Sequence, residues 1–350
     1  MSARDPRLRV AVVSGGPSAE HDVSVASGRN VLASLDPDRF LALDVLIDRD
    51  ARFRLGDRFA PPGEPSRPGR TGEPLAAHEL LRRLSREGTD VAFLALHGPF
   101  GEDGTIQGFL DVAGIPYTGS GVAASSLAMN KANSRHVLAG NGVPVARGLE
   151  IARPEGAASA AREAIGVPCV VKPNGLGSSV GVSVVRSEAS LAAAIDAAFA
   201  VSTRILVEEY VDGTELTCGV LGNAFEAGLR ALPPTEIRAP DGRFFDYQVK
   251  YEKGAATEIT PAPIGDELTR RVQALSLRAH ECLGCRGLSR TDFRLRGLEP
   301  VALEVNTLPG LTSTSLLPQA AAAAGISFRD LLSRLVDLAL AGIPAKAARA

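Results

Sequence analysis

The residue types best suited to chemistry gather between positions 289 and 318, SRTDFRLRGLEPVALEVNTLPGLTSTSLLP. Arg290, Asp292 and Arg294 alternate with Thr291, Phe293 and Leu295, and a period of two puts Arg290 and Asp292 on one face of a strand. After a turn at GLEP, a second run rises to Glu304 and Asn306, again two apart, so a hairpin would converge Asp292, Glu304 and Asn306. Hard oxygen ligands with no neighbouring His or Cys suit Mg²⁺, which takes one or two carboxylates and fills its remaining positions with water and nucleotide phosphate. An acidic pair beside an arginine is also what phosphoryl transfer requires. A polar face on an edge hairpin satisfies the same spacing, and the next stretch separates the two readings. NTLPGLTSTS at 306–315 is small and hydroxyl-rich, with a glycine able to bring its N–H close to a ligand and Ser315 just ahead of an apolar helical run. Such a turn binds a carboxylate or an oxyanion.

Other parts of the chain must deliver ligands to that hairpin. Residues 8–14 read as a buried parallel strand, and GGPSAE turns it into a helix with Val23, Ala26 and Val31 on one side. Further strands at 42–47 and 91–96 make a doubly wound first domain ending near residue 120. Residues 56–73, rich in Pro, Gly and Arg, read as a surface loop. At the carboxyl end of the third strand, ALHGPFGEDGTIQG places His97 where open α/β sheets bind ligands, although a lone His is more often a packed or capping residue. A turn-rich junction at 116–121 precedes Lys131 on an Ala-rich helix. In a central unit, an apolar strand at 167–172 ends in Lys172, the loop PNGLGSS follows, and 180–185 returns as a strand. Small residues between strands make a flap whose N–H groups can face phosphates, and no G-K-[ST] opens a helix as a P-loop would. A strand at 205–210 carries Glu208, with Glu215 soon after, and a carboxylate accepts from adenine or ribose donors. Residues 232–263 read as a long irregular lid containing FDYQVKY, 265–283 as an amphipathic structural helix, and 327–341 as a closing helix.

Composition bounds the function. The chain has 350 residues, 45% apolar and 22% charged, enough for two or three domains with sizeable cores. A net charge of -2 and a pI near 6.3 argue against nucleic acid or an anionic membrane as partner. The apolar run at 10–13 breaks at SGG, too short for a signal core or a transmembrane helix, so a cytoplasmic protein is expected. Cys169, Cys218, Cys282 and Cys285 do not form a disulfide framework, and the lone C-x-x-C has no second ligand pair, so no zinc is expected. Among 38 Lys and Arg residues the lysines are only Lys131, Lys172, Lys250, Lys253 and Lys346. A chain that otherwise uses Arg but retains Lys marks sites that want a compact point charge, as phosphate binding does, and Lys131, Lys172 and Lys250 are the candidates.

The string E-V-N-T-x-P-G-x-T-x-x-S at 304–315 resembles the C-terminal signature of the D-alanine:D-alanine ligases, members of the ATP-grasp superfamily. A-L-H-G-x-x-G-E-D-G-x-I-Q-G at 95–108 and G-G-x-S-x-E-x-x-V-S at 15–24 are similar to two further signatures, and the resemblance runs from 15 to 338 through five motifs in family order. It implies a three-domain ATP-grasp architecture of α/β and α+β units: an N-terminal domain over 1–120, a central subdomain with the phosphate flap over 121–210, and a C-terminal subdomain with lid and metal site over 211–350. It further implies that Lys131, Lys172 and Lys250 contact ATP phosphates and that Glu208 and Glu215 take the adenine and ribose side, with Ser179 and Val211 completing the ATP site. Asp292, Glu304 and Asn306 would hold two Mg²⁺, or Mn²⁺. Glu20 would receive the first ammonium, Arg290 and the Gly310 N–H would serve the oxyanion, and Ser315 and Leu316 the second carboxylate. His97 falls on the substrate side. Tyr251 would bond Ser178, which reaches Glu20. The implied activity joins two D-alanines through an acyl phosphate for peptidoglycan precursor synthesis, in a homodimer. Asn130 replaces an expected Asp before Lys131, and Asp22 an expected Glu. Rivals are a ligase using D-lactate or D-serine, discriminated at the Lys250-Tyr251 lid, and an inactive nucleotide-binding regulator, disfavoured because every metal-ligand position is filled. A nicotinamide-dependent oxidoreductase is the remote reading, since it would need the third fingerprint glycine that this chain lacks.

Overall fold

The computed structural model describes residues 5–64, 73–177, 180–238 and 257–341. The first of three sheets consists of β1 (Leu8–Gly15), β2 (Phe40–Ile47), β3 (Phe53–Leu55) and β4 (Val91–Leu94), in the order β3-β2-β1-β4. β1 pairs in parallel with β2 and β4, while β3 runs antiparallel to β2. Alternation along β1 explains the layering. Val10 and Val12 pack with Val31 and Leu35 from α1 (His21–Ser34) and its C-cap, whereas Ala11 and Val13 pack with Leu80 and Leu84 of α2 (Ala77–Arg86) and Ile106 and Leu110 of α3 (Thr105–Val112). Both faces are covered, so the unit is doubly wound and the strand reads as an unbroken apolar run.

Two details of this unit differ from the sequence reading. The strand expected over 91–96 closes at Leu94. On α1, Val31 is buried, but Val23 is half-buried and Ala26 exposed; the packed face is Ser24, Val25, Ser27, Gly28 and Val31. Small residues occupy that face because the helix lies close on the strand ends. The Ser24 hydroxyl accepts from Gly15 N (2.8 Å) and donates to Ala95 O (2.7 Å). Gly15 has φ +90°, and a Cβ there would lie 2.2 Å from Ile47 O, so only glycine makes this turn without strain.

The second sheet is antiparallel, in the order β5-β8-β6-β7, from β5 (Gly148–Ile151), β6 (Cys169–Pro173), β7 (Ser183–Val185) and β8 (Ile205–Glu209). Cys169, Val171, Ile205 and Val207 pack against α6 (Ala157–Ala164) and α7 (Glu188–Phe199). The period of two then gives Val170, Lys172, Leu206 and Glu208 to the opposite face.

The third sheet is built from β9 (Glu215–Leu221), β10 (Arg230–Ala231), β11 (Thr235–Arg238), β12 (Thr257–Ile259), β13 (Leu288–Arg296) and β14 (Glu299–Asn306), ordered β12-β11-β9-β13-β14 with β10 on β9. One face is closed by α4 (Val122–Met129), α5 (Lys131–Gly140) and α8 (Asp266–Cys282), through a core that includes Leu138, Leu216, Val272, Phe293 and Val305. Burying a ring such as Phe293 contributes about 1.5–3 kcal/mol. The irregular stretch expected over 232–263 is corrected at both ends, where Ile237 pairs with Glu258 across β11 and β12. Thr and Ile alternating with Glu in both strands suit a pleated surface and outweigh the flanking prolines. The FDYQVKY segment lies outside the described residues.

α9 (Leu316–Ala323) and α10 (Phe328–Ala341) fold back onto the first sheet, so that Leu331, Leu332 and Val336 share a core with Val10, Val12 and Phe40. Cuts at 120 and 210 separate the three sheets, yet packing crosses them: α4 and α5 cover the third sheet, and α9 and α10 the first. No helix among the described residues is long and apolar enough to cross a membrane. All four cysteines are free, and burial pushes the Cys218 and Cys285 thiols up to about 12, which removes both as nucleophiles.

Candidate active site

The face of the third sheet turned away from α4, α5 and α8 is covered by α9 at Gly219, where Leu317 packs, and presents its polar residues in rungs beyond it. Arg290 is flanked by Gly219 and Asn306, Asp292 by Thr217 and Glu304, and Arg294 pairs with Glu215. The hairpin therefore brings Asp292, Glu304 and Asn306 together as the period of two requires. A bulge beside Asp292 leaves Leu303 without an opposite residue and turns it into the slot that Glu208 also lines.

Arg290 donates through Nε and Nη2 to the two Asp292 oxygens, both at 2.8 Å, and Thr217 Oγ1 donates to Asp292 Oδ1 at 2.6 Å. Burial works against the Arg290 charge, but Asp292, with Glu304 and Glu102 farther off, outweighs it and holds the guanidinium above its ordinary pKa. Glu304 is looser: its side chain is 33% exposed, with Lys131 Nζ 3.4 Å away. The same ammonium donates to Leu176 O at 2.6 Å. Among the described residues no three His, Cys, Asp or Glu side chains gather at metal-ligand spacing. Two carboxylates and the Asn306 amide nevertheless fit a divalent cation that completes its shell with water and phosphate oxygens, the habit of Mg²⁺.

A slot of about 90 Å³ opens between the second and third sheets, lined by Lys172, Glu208, Val211, Glu215 and Arg294. Glu208 lies in a buried triad, 2.5 Å from Lys172 Nζ and 2.9 Å from Arg135 Nε. Glu215 accepts from Arg294 Nη2 at 3.0 Å, and Arg294 Nη1 reaches the Tyr210 hydroxyl at 3.3 Å. Sequence reasoning missed both arginines as site residues. Arg135 stands four positions after Lys131, hence on the same helix face, and Arg294 is the third member of the Arg290, Asp292 alternation; those spacings were the available signal. α5 is docked here by Asn174, whose Oδ1 accepts from Ala132 N (2.8 Å), while Asn130 Oδ1 caps the helix at Asn133 N (3.0 Å).

The slot is continuous with a wider cleft of about 530 Å³, the two sharing Lys131, Gly177, Glu215, Asp292 and Glu304. Glu20, Val23 and Ala26 of the α1 segment form one wall, which explains why those two apolar residues are absent from the core. Gly310, Ser315 and Leu316 form another. A Cβ on Gly310 would lie 2.6 Å from Ser315 Oγ, so the glycine lets the loop close on that hydroxyl, which accepts from Thr312 N at 3.0 Å. A Cβ on Gly177 would lie 3.1 Å from Glu20 Oε2, so the start of the flap reaches this wall. His97 lines the cleft but is 5% exposed and has both ring nitrogens engaged, Nδ1 at 3.1 Å from Leu308 O and Nε2 at 3.0 Å from Ser27 Oγ. Its bonds hold the 306–315 loop to the first sheet. Ser178, Ser179, Lys250 and Tyr251 lie outside the described residues.

Both the amino-acid sequence and the fold of this chain are similar to those of known proteins. The family model described as D-ala D-ala ligase N-terminus matches residues 9–120, and that described as D-ala D-ala ligase C-terminus matches 138–337. The D-alanine–D-alanine ligase of Syntrophobacter fumaroxidans is 44% identical over 337 residues, covering 95% of this chain and 98% of that protein. That of Beijerinckia indica is 43% identical over 335 residues, with 94% and 97% covered. Among solved structures, the D-alanine-D-alanine ligase from Coxiella burnetii superposes with a TM-score of 0.79 at 27% identity, covering 96% of this chain and 95% of that one. The VanG D-Ala:D-Ser ligase from Enterococcus faecalis gives 0.83 at 32%, with 95% and 99% covered. With both halves of the family pattern matched and the hairpin and the 306–315 loop arranged around one cleft, the chain belongs to the D-alanine–D-alanine ligase family and has its ATP-grasp fold.

Proposed function

We infer that this protein uses ATP to join two D-alanines into D-alanyl-D-alanine, releasing ADP and phosphate, in the supply of peptidoglycan precursors. In the first step a carboxylate oxygen of one D-alanine attacks the γ-phosphorus, the bond from that phosphorus to the β,γ-bridging oxygen breaks, and ADP leaves an acyl phosphate behind. The amine of the second then attacks the acyl carbon, a C–N bond forms, the C–O bond to phosphate breaks, and the amine gives up a proton. The first step brings anion against anion, so cationic side chains and positioning supply most of the rate. Lys131 and Lys172, with Lys250 of the lid, carry that charge on the phosphate side. Glu208 accepts from the adenine amino group and Glu215 from the ribose, with Val211 and Ser179 alongside.

Asp292, Glu304 and Asn306 are the residues that would hold two Mg²⁺, or Mn²⁺, and the metals would neutralise phosphate charge. Arg290 uses its Nε and Nη2 edge on Asp292, leaving Nη1 to meet the tetrahedral oxyanion together with Gly310 N–H. Glu20 takes the ammonium of the first D-alanine, supported by the Ser178 and Tyr251 network, and Ser315 and Leu316 take the carboxylate of the second. His97 contributes on the substrate side by fixing the loop at Leu308. The division into 1–120, 121–210 and 211–350, supported by the three sheets, and a homodimeric state belong to the same reading; limited proteolysis and sedimentation test them.

The observation that carries the reading is the Asp292–Glu304 rung standing where the slot and the cleft meet, with Arg290 and Asn306 on the next rung. Phosphate release with each D- and L-amino acid added singly and in pairs tests it. D-alanine alone should support turnover and dipeptide formation. Turnover with L-alanine but not D-alanine would overturn the assignment. The likeness to a D-Ala:D-Ser ligase makes D-serine and D-lactate the competitors to include, with D-alanine expected to win.

A further inference from the structure

We propose that Asn30 is a positioning residue for the ligation step, holding the Gly310 donor loop in place from across the cleft. The inference rests on the oxyanion role of Gly310 given above. The stripe of α1 that faces the cleft begins just before the helix at Glu20 and runs through Val23 and Ala26, all three lining the cavity. The next position on that stripe, at helical spacing, is Asn30. Its Nδ2 donates to Leu311 O at 2.7 Å, a bond between residues 281 positions apart. Leu308 O is bonded by His97 Nδ1 at 3.1 Å. Two side chains of the N-terminal unit thus capture the carbonyls on either side of Pro309-Gly310.

The loop is pinned by packing as well. Leu308 and Leu311 are each 3% exposed, but they enter different cores, Leu308 beside Val13 and Tyr117, Leu311 beside Val10 and Val31. They fix where the loop sits; what they do not fix is the rotation of the peptide units between them, and that rotation aims the Gly310 N–H. Hydrogen bonds to Leu308 O and Leu311 O orient the peptide units that precede and follow the Pro309-Gly310 turn, and together they narrow the rotations open to the unit that carries the Gly310 N–H. Ten residues of helix, about 15 Å at 1.5 Å per residue, separate Glu20 from Asn30, so α1 acts as a rigid spacer between the ammonium site and the loop. Ligand geometry at one end is thereby referred to donor geometry at the other.

The test is Asn30→Asp, which keeps the side-chain shape and replaces the donor with an acceptor, alongside Asn30→Ala. A misplacement of this kind lowers turnover by about 10- to 100-fold. The expected result is that fall in kcat, with the KM for ATP and the affinity for ADP changed less than about twofold, and a matching loss of affinity for a D-alanine phosphinate, whose tetrahedral oxyanion needs the Gly310 donor. An effect on kcat and phosphinate binding that leaves ADP binding untouched is what a loosened scaffold alone cannot produce. Unchanged kcat and phosphinate affinity in either folded variant would overturn the proposal, as would equal losses for ADP and phosphinate. If Asn30→Asp does not fold, Asn30→Ala is read by the same criteria. A wild type that ligates no D-alanine would instead overturn the functional reading on which this inference stands.

Discussion

The two carboxylate pairs of the site are held differently. In the slot, Glu208 is clasped between Arg135 and Lys172 and Glu215 by Arg294, with the Glu208 side chain 5% exposed and the Glu215 side chain 13%. At the hairpin, Asp292 has a bidentate arginine, but Glu304 is one-third exposed and has its lysine at 3.4 Å. A buried arginine pair is rigid and costly to open. Lys131 is itself buried, but Glu304 is one-third exposed and stands farther from its cation than Glu208 does, so water can replace the contact and it opens at less cost. On the function proposed above, the slot would recognise a nucleotide without rearranging, whereas Lys131 and Glu304 would give each other up to phosphate and metal.

That contrast can be broken in order of effect. Asp292→Asn or Glu304→Gln should lower kcat by about 10³-fold at saturating Mg²⁺, because each removes a charge from the reacting end; the melting curve should stay intact for Glu304→Gln, whereas Asp292→Asn also lowers it by leaving the Arg290 guanidinium buried without its anion. Near-normal turnover in either variant would place the metals elsewhere. Glu208→Gln should do the reverse and strike stability, by about 3 kcal/mol or more, since it leaves the Arg135 and Lys172 cations buried without their anion; urea unfolding reads this, and an unaltered midpoint would refute a rigid slot. Arg290→Lys keeps the charge but loses the planar fork that serves Asp292, so kcat should drop about 10²-fold with little change in the KM for ATP. An effect confined to ATP binding would remove Arg290 from the oxyanion.

A pH experiment sharpens the hairpin side. His280 of α8 supports β13 from behind, its Nδ1 2.8 Å from Ser289 Oγ, and burial lowers its pKa to about 4. The unfolded ring titrates near ~6.5, so below that pH the unfolded chain takes up a proton that the folded one refuses. The stability from this group is present above pH 6.5 and declines as pH falls toward 4, by about 2 kcal/mol at pH 5. His280→Asn should flatten that part of the pH profile of unfolding; a profile identical to wild type would contradict the buried neutral ring. The smallest effect is expected at Arg294→Met, which frees Glu215 from its partner and should raise the KM for ATP about tenfold with kcat nearly unchanged. A fall in kcat instead would tie Arg294 to the reacting end.

The amino-acid sequence by itself determined the hairpin. Arg290, Asp292, Glu304 and Asn306 lie on two strands joined by a short turn, and a period of two leaves little freedom in which side chains share a face. The doubly wound opening was legible for a similar reason, since strands covered on both faces must read as apolar runs. Only the tertiary structure decided which cations the carboxylates meet. Arg135 reaches Glu208 across 73 residues and Arg294 reaches Glu215 across 79, and no local period encodes such pairs. It also decided that α1 turns Val23 and Ala26 toward the cleft, and that His97 and Asn30 bond the carbonyls of Leu308 and Leu311. A helix that can face either a core or a ligand has the same amphipathic signature in both cases, and what settles the choice is the set of surfaces that arrive from elsewhere in the chain.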